Sequence, residues 1–364
     1  LARELMILKE ALSAKICKKL SSMANMLNLA LRSSTTRILN LHALVKTLFI
    51  PSFAVSLLTL YLMYPESFER VWKGRAYYIF FLWFFSLKLA LNWREINVQG
   101  CKFWSKRLIA LIIVSVSPTV YVLAANFSGL NTVIMNLSPK HYGLDWWSKY
   151  MPLTVEYLVF MVFSTVMVIL TYGINGLKIF ILPISLIGVI GSIYLIDNLY
   201  PFGEFTPFQI LVPTTANLAA AVLKSMGYQA ELYGQVHKTP VLRVWEESGE
   251  AAFGIAWPCS GIDSLILYSV ITILFLNESK FSSKGKFILF ILGAAATYFI
   301  NILRIAEIFI VAIKYGVTSP EVQRFHDYYG PLYSITWIIA YQLIIIGAEK
   351  LLGKVSLRRT DEDL

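Results

Sequence analysis

Residues 207–226 read PFQILVPTTANLAAAVLKSM, and whether they cross a membrane decides the topology of everything that follows. The stretch has the length, since about 20 mostly apolar residues span a bilayer core. Pro213, two threonines and Asn217 interrupt it. Cleaner apolar runs occupy Leu48–Tyr64, Tyr77–Trp93, Leu108–Ala125, Leu153–Tyr172 and Ile179–Ile196, and then Cys259–Leu276, Phe287–Leu303 and Leu332–Ile346. Lys and Arg concentrate in cytoplasmic loops, and their distribution settles the doubtful stretch. If 207–226 does not span and the N-terminus is cytoplasmic, 20 of the 32 Lys and Arg fall inside, 11 outside, and Lys88 within a span. If it spans, the basic segments near the C-terminus are exported instead. The first arrangement is the better one: eight spans, with both termini cytoplasmic.

Composition points to the same class. Of 364 residues, 57% are hydrophobic, 14% aromatic and only 15% charged, against roughly 25% charged in soluble domains. A soluble enzyme, a disordered chain and a disulfide-rich secreted scaffold are excluded. The formal charge of +10 belongs to loops of a membrane protein, and no aromatic-interleaved basic stretch points to nucleic acid. Cys17, Cys101 and Cys259 are too widely spaced for a disulfide framework or a zinc site, and no cofactor or metal is implied.

The expected fold is an all-α polytopic membrane protein of about eight transmembrane helices, with a small extracytoplasmic α+β segment before the helix that carries Cys259. Residues 1–46 read as a cytoplasmic basic amphipathic segment and 47–196 as a five-helix membrane region. Residues 197–258 form the extracytoplasmic segment, 259–348 a three-helix catalytic region and 349–364 a cytoplasmic tail. Within 197–258 an amphipathic helix lies against the outer face. Alternation then predicts strands at Gln229–Val236, Thr239–Trp245 and Glu250–Trp257.

Three short blocks bear the chemistry. Trp257-Pro-Cys-Ser-Gly-Ile-Asp263 opens the sixth span, and Ser260 with Asp263 has the spacing of a capping box. That places Cys259 at a helix mouth, where the partial positive charge favours thiolate; a lone membrane cysteine is more often a small apolar filler, and the Pro-Cys-Ser-Gly context weakens that reading here. The sixth and seventh runs are antiparallel and of similar length, so Asn301-Ile-Leu-Arg304-Ile305 at the end of one sits level with Cys259 at the start of the other. Alone, Arg304 is equally a snorkelling side chain or a partner of Glu307. His326, in Arg324-Phe-His-Asp327, precedes the eighth span on the same side, and histidine is the usual base for a cysteine nucleophile. The set is coherent: Cys259 attacks a carbonyl, His326 manages protons, and Arg304 faces the developing oxyanion. Ser260, Asp263, Asn301 and Arg324 are candidate supporting residues.

The Cys-Ser-Gly-Ile run at Cys259–Ile262, the Asn-x-x-Arg-Ile block at Asn301–Ile305 and the His-Asp-x-x-Gly block at His326–Gly330 resemble the exosortase/archaeosortase family of membrane transpeptidases. The likeness covers about 207–346, and the N-terminal spans add only hydrophobicity to it. The resemblance implies Cys259 as nucleophile, Arg304 as electrostatic stabiliser and His326 as base. Some archaeal relatives carry arginine at the third position, so Arg324 is a candidate to assist there. It also implies secreted proteins with a C-terminal sorting tail as substrates, a thioester intermediate, and an amine on a membrane lipid as acceptor. A transporter or membrane scaffold is the alternative; its polar residues belong near the midplane, where Lys88 is the one cation. Without an HExxH, a zinc protease of that type is disfavoured.

Overall fold

The computed structural model of the chain describes residues 42–70, 72–99, 105–139, 147–200, 205–236 and 239–362. The expectations for residues 1–41 with Cys17, and for Cys101, fall outside the described residues. The chain is a mainly helical membrane protein with one small sheet. Its first half comprises α1 (Phe49–Met63), α2 (Pro65–Glu69), α3 (Ala76–Leu91), α4 (Lys106–Phe127), α5 (Leu130–Leu137) and α6 (Met151–Leu199). At 1.5 Å per residue the 49 residues of α6 amount to about 74 Å of helix, more than twice a bilayer core, and they form two helices rather than one. Gly173 breaks it with φ +75°, and a Cβ there would sit 2.2 Å from Gln99 Nε2. A single glycine therefore separates two apolar runs where the sequence suggested a loop over 173–178.

Four helices, Lys106–Phe127, Ser148–Leu199, Ser283–Tyr315 and Pro320–Lys350, are long and apolar enough to cross a membrane. Phe49–Met63, Ala76–Leu91 and Ile262–Asn277 are shorter apolar helices. Every apolar run read from the sequence lies on one of these, although length alone does not carry the count to eight. Inside the first half, buried Phe49, Phe53, Phe81, Phe85, Phe160 and Phe180 interlock α1, α3 and α6. Lipid is as apolar as these rings, so close packing rather than release from water holds such helices together.

The second half begins with α7 (Val212–Ser225), which corresponds to the doubtful stretch. Its buried face, Val212, Thr215, Ala216, Ala219 and Leu223, has helical spacing. That face covers β1 (Gln229–Val236) and β2 (Thr239–Glu246), so the amphipathic pattern is used up against the sheet rather than against a membrane surface. β3 (Gly249–Gly254) completes an antiparallel sheet in the order β1-β2-β3. β3 stops at Gly254 instead of Trp257. Ile255 N–H donates to Pro240 O at 2.9 Å as the last rung, and a 3-10 turn over Trp257–Ser260 follows.

Then come α8 (Ile262–Glu278), α9 (Ser283–Tyr315), α10 (Pro320–Arg324), a π-helical turn (Phe325–Tyr329) and α11 (Gly330–Glu362). α9 does not end at Arg304 as the hydropathy suggested. Ile302, Ile305, Ala306, Phe309 and Ala312 continue a buried stripe onto the sheet and α7, and this second core carries the helix three turns further. Lower down, α8, α9 and α11 cross closely: a Cβ on Gly293 would lie 2.2 Å from Tyr268 Oη. Tyr268 Oη donates to Phe290 O at 2.7 Å, Trp337 Nε1 to Thr297 Oγ1 at 3.1 Å and Gln342 Nε2 to Thr272 Oγ1 at 3.0 Å. Such interhelical hydrogen bonds fix register where no water competes.

Candidate active site

Cys259 stands in the 3-10 turn Trp257–Ser260, not on the helix. Gly261, at φ +94°, separates the turn from the first residue of α8 and leaves the helix with no side-chain cap. The capping box therefore does not form: Ser260 Oγ donates to Trp257 O at 2.6 Å, inside the turn itself. The left-handed glycine redirects the chain, so Ser260 and Asp263 fall on different sides of the break. The helix-mouth argument for a thiolate loses its geometry with it.

Other elements lock the turn instead. Asn301 Nδ2 on α9 donates to Cys259 O at 2.9 Å, and Thr215 Oγ1 on α7 donates to Ser260 O at 3.3 Å. Thr215 in turn meets Tyr298 Oη at 2.8 Å. A Cβ on Gly261 would approach Asn301 Nδ2 to 3.0 Å, so a glycine is needed both for the backbone and for the room. The Cys-Ser-Gly block and the Asn-x-x-Arg block thus have a direct physical link.

One turn along α9, Arg304 Nη2 donates to His326 O at 3.2 Å. Arg304 lies across Gly330, where a Cβ would stand 2.5 Å from its Nε. Asn301 and Arg304 consequently grip the backbone of Cys259 and His326, two residues that border the same cavities. His326 occupies the π-helical turn, a rare form that recurs at functional sites, ahead of the apolar run Leu332–Ile346. Its Nδ1 pairs with Asp327 Oδ1 at 2.8 Å. The neighbouring Cys259 above all holds the imidazole above its ordinary pKa; burial opposes that shift, Asp327 adds to it and the charge of Arg304 opposes it. Gln323 Nε2 fixes the other oxygen of Asp327. Asp327, quoted in the sequence motif but given no role there, borders the candidate site beside His326. Arg324 is exposed and lines neither of the cavities at the site, so it is not brought to Cys259.

Cys259, Arg304, His326 and Asp327 border two cavities at once. One, of about 310 Å³, lies among α3, α8 and α11 and includes Tyr77, Asp263 and Ser264. The other, of about 380 Å³, lies between the end of β3 and the far half of α9, with Phe253, Ile308 and Val322 in its wall. Two further residues fix the frame of the first: Ser264 Oγ donates to Ser334 Oγ at 2.8 Å and joins α8 to α11. The chain matches the family model for transmembrane exosortases over residues 71–342. The chain belongs to that family. No curated protein and no solved structure matches it. A membrane peptidase or transpeptidase is the activity this membership suggests.

The exosortase match begins at residue 71, well before the likeness read from the sequence, and takes in most of the first half of the chain. The segment between α2 and α3 carries Lys73 at φ +48°, the one non-glycine with positive φ among the described residues. A Cβ on the next residue, Gly74, would overlap Arg70 O at 1.9 Å. This strained turn buries Lys73 Nζ against Asp197 Oδ2 at 2.7 Å. Burial lowers the Lys73 pKa and the carboxylate opposes that shift. Asp197 Oδ1 accepts from Trp257 Nε1 at 2.9 Å, and the Trp257 ring meets Trp72 edge to face at 4.6 Å. Beside it, Arg75 clamps Glu156 with two bonds of 2.8 and 2.9 Å. The first half is thus a structural wall of the site. Local sequence pattern carries no sign of Lys73–Asp197 or Asp197–Trp257, because each pairs residues far apart in the chain.

Proposed function

We propose that this exosortase cleaves the C-terminal sorting tail of secreted proteins through a thioester on Cys259 and passes the new C-terminus to an amine on a membrane lipid. The observation that carries the reading is that Cys259, Arg304 and His326 border the same two cavities, with His326 oriented by Asp327. That is the arrangement of a nucleophile, a base and an orienting carboxylate.

With Nδ1 of His326 engaged by Asp327, Nε2 is the nitrogen left to take the thiol proton. The thiolate attacks the scissile carbonyl, and the imidazolium returns its proton to the departing amine of the tail. Arg304 uses one N–H on His326 O; the guanidinium has five, so others remain for the tetrahedral oxyanion. A fixed donor of this kind contributes about 3–4 kcal/mol to acyl transfer. Asn301, Thr215 and Trp257 preorganise the turn. Eight spans, cytoplasmic termini and a site at the outer interface complete the proposal, and they suit a tail whose apolar helix lies beside those of the enzyme.

The test is processing of a tail-bearing secreted protein from the same genome, coexpressed with wild type, Cys259→Ala, Arg304→Ala or His326→Ala. The expected result is processing by the wild type alone, with all four proteins present in the membrane at equal levels. Processing that survives Cys259→Ala overturns the nucleophile assignment.

A further inference from the structure

The four reacting residues form a partition with space on both sides, and the two spaces differ in kind. The sheet-side cavity is walled by Phe253–Ile255 and apolar side chains of α9 and α10. The bundle-side cavity is bounded by the first turns of α3, α8 and α11, and Tyr77 and Asp263 line it. Asp263 Oδ1 and Tyr77 Oη are buried, and neither has a hydrogen-bond partner among the described residues. Tyr77 is only 1% exposed. Leaving a buried carboxylate oxygen unsatisfied costs at least about 1–3 kcal/mol, so the pair calls for a ligand that donates hydrogen bonds. A carboxylate and a phenol oxygen together suit an N–H cation. The cavity, about 310 Å³, has room for far more than one water, which occupies roughly 30 Å³.

Acyl transfer gives the two sides different tasks. The acyl portion of the substrate stays on Cys259, while the tail leaves from the opposite side and the acceptor enters where the tail left. The bundle-side cavity descends about one turn along α3, from Ala76 to Phe80, on the side left for the tail and then the acceptor.

We propose that the bundle-side cavity is the acceptor subsite, where Asp263 and Tyr77 hold a primary amine and Asp263 takes its proton; this rests on the thioester reading above. The bound ammonium gives one proton to the Asp263 carboxylate. Its freed lone pair attacks the thioester carbonyl, and a second proton passes from nitrogen to His326. The C–S bond then breaks and its electron pair leaves on the Cys259 sulfur, yielding the amide, and Asp263 afterwards releases its proton to solvent. The amine arrives either on a lipid headgroup or as a free small molecule, with the same chemistry.

The experiment uses the full chain in vesicles of phosphatidylcholine, with a tail-bearing substrate protein and either ethanolamine in solution or phosphatidylethanolamine in the bilayer. Mass spectrometry reads acyl-Cys259, the amide product and the hydrolysed acid. For Asp263→Asn the expected result is accumulation of acyl-Cys259 and a fall of at least tenfold in the amide-to-acid ratio. Tyr77→Phe should lower the same ratio about threefold. Phosphatidylethanolamine working where ethanolamine does not identifies a lipid acceptor, and the reverse identifies a free amine. An unchanged ratio in both variants overturns the subsite, as does loss of acyl-Cys259 in Asp263→Asn, which would move Asp263 to the acylation step. A wild type that forms no acyl-Cys259 overturns the thioester reading itself.

Discussion

Replacing Trp257 by Phe isolates the link between the two halves of the molecule. The ring remains against Trp72, at a centroid distance of 4.6 Å, while the N–H that reaches Asp197 Oδ1 at 2.9 Å is removed. A hydrogen bond to a charged group contributes about 1.5–3 kcal/mol, and about 1.4 kcal/mol corresponds to tenfold. Loss of the bond alone gives a range of roughly 10- to 150-fold. Asn301 and Thr215 still hold the turn through the carbonyls of Cys259 and Ser260, so the effect falls at the low end, about tenfold. It appears in kcat rather than KM, because the turn positions the nucleophile and not the substrate. Trp337→Phe is the control: it deletes the bond to Thr297 Oγ1, which lies deeper in the bundle than the turn. The assay is single-turnover acylation of Cys259 in purified protein reconstituted in vesicles, with thermal unfolding measured in parallel. Acylation by Trp257→Phe at the wild-type rate would refute the argument, as would equal slowing of acylation by both substitutions.

Three further outcomes follow from the same geometry. Gly330→Ala places a methyl 2.5 Å from Arg304 Nε and displaces the guanidinium from His326 O, so transfer should fall about 10²-fold, the scale of losing one oxyanion donor; normal kinetics would show that Arg304 does not depend on that contact. Gly261→Ala forces a side chain onto φ +94° and against Asn301, and should lower stability by about 1 kcal/mol or more, read as a lowered Tm; an unchanged Tm would contradict it. His326 is held above the ordinary imidazole pKa of about 6.5, so the acid limb of kcat/KM should lie above that value, activity growing as pH rises through the raised pKa. Asp327→Asn removes one of the raising influences and should move the limb to lower pH; a limb that stays put or moves up would remove Asp327 from the site.

Much of the juxtaposition at the site was legible because a membrane turns run length into depth. Two antiparallel apolar runs of similar length place Asn301 and Arg304 level with Cys259, and α8 and α9 meet there. The positions of the strands were legible from alternation. What escaped has physical reasons. The capping-box spacing of Ser260 and Asp263 is a local signal, and it yields to Gly261, whose positive φ ends one element before the other begins. Hydropathy ends the seventh run at an arginine, but burial of Ile305, Phe309 and Ala312 against the sheet is a tertiary effect that a window on the sequence does not see. The Lys73–Asp197–Trp257 connection joins three distant segments, each of which looks ordinary alone. Arg324, close to His326 in sequence, is exposed and lines neither cavity.

The central claim is that Cys259 carries the acyl group. Intact-protein mass spectrometry of the full chain, quenched with acid during turnover of a tail-bearing substrate in vesicles without added amine, measures this directly. The account predicts a mass increase equal to the cleaved substrate, located on Cys259, labile to hydroxylamine and absent from Cys259→Ser. Tail cleavage by the wild type with no adduct on Cys259, or an adduct on another residue, would contradict it.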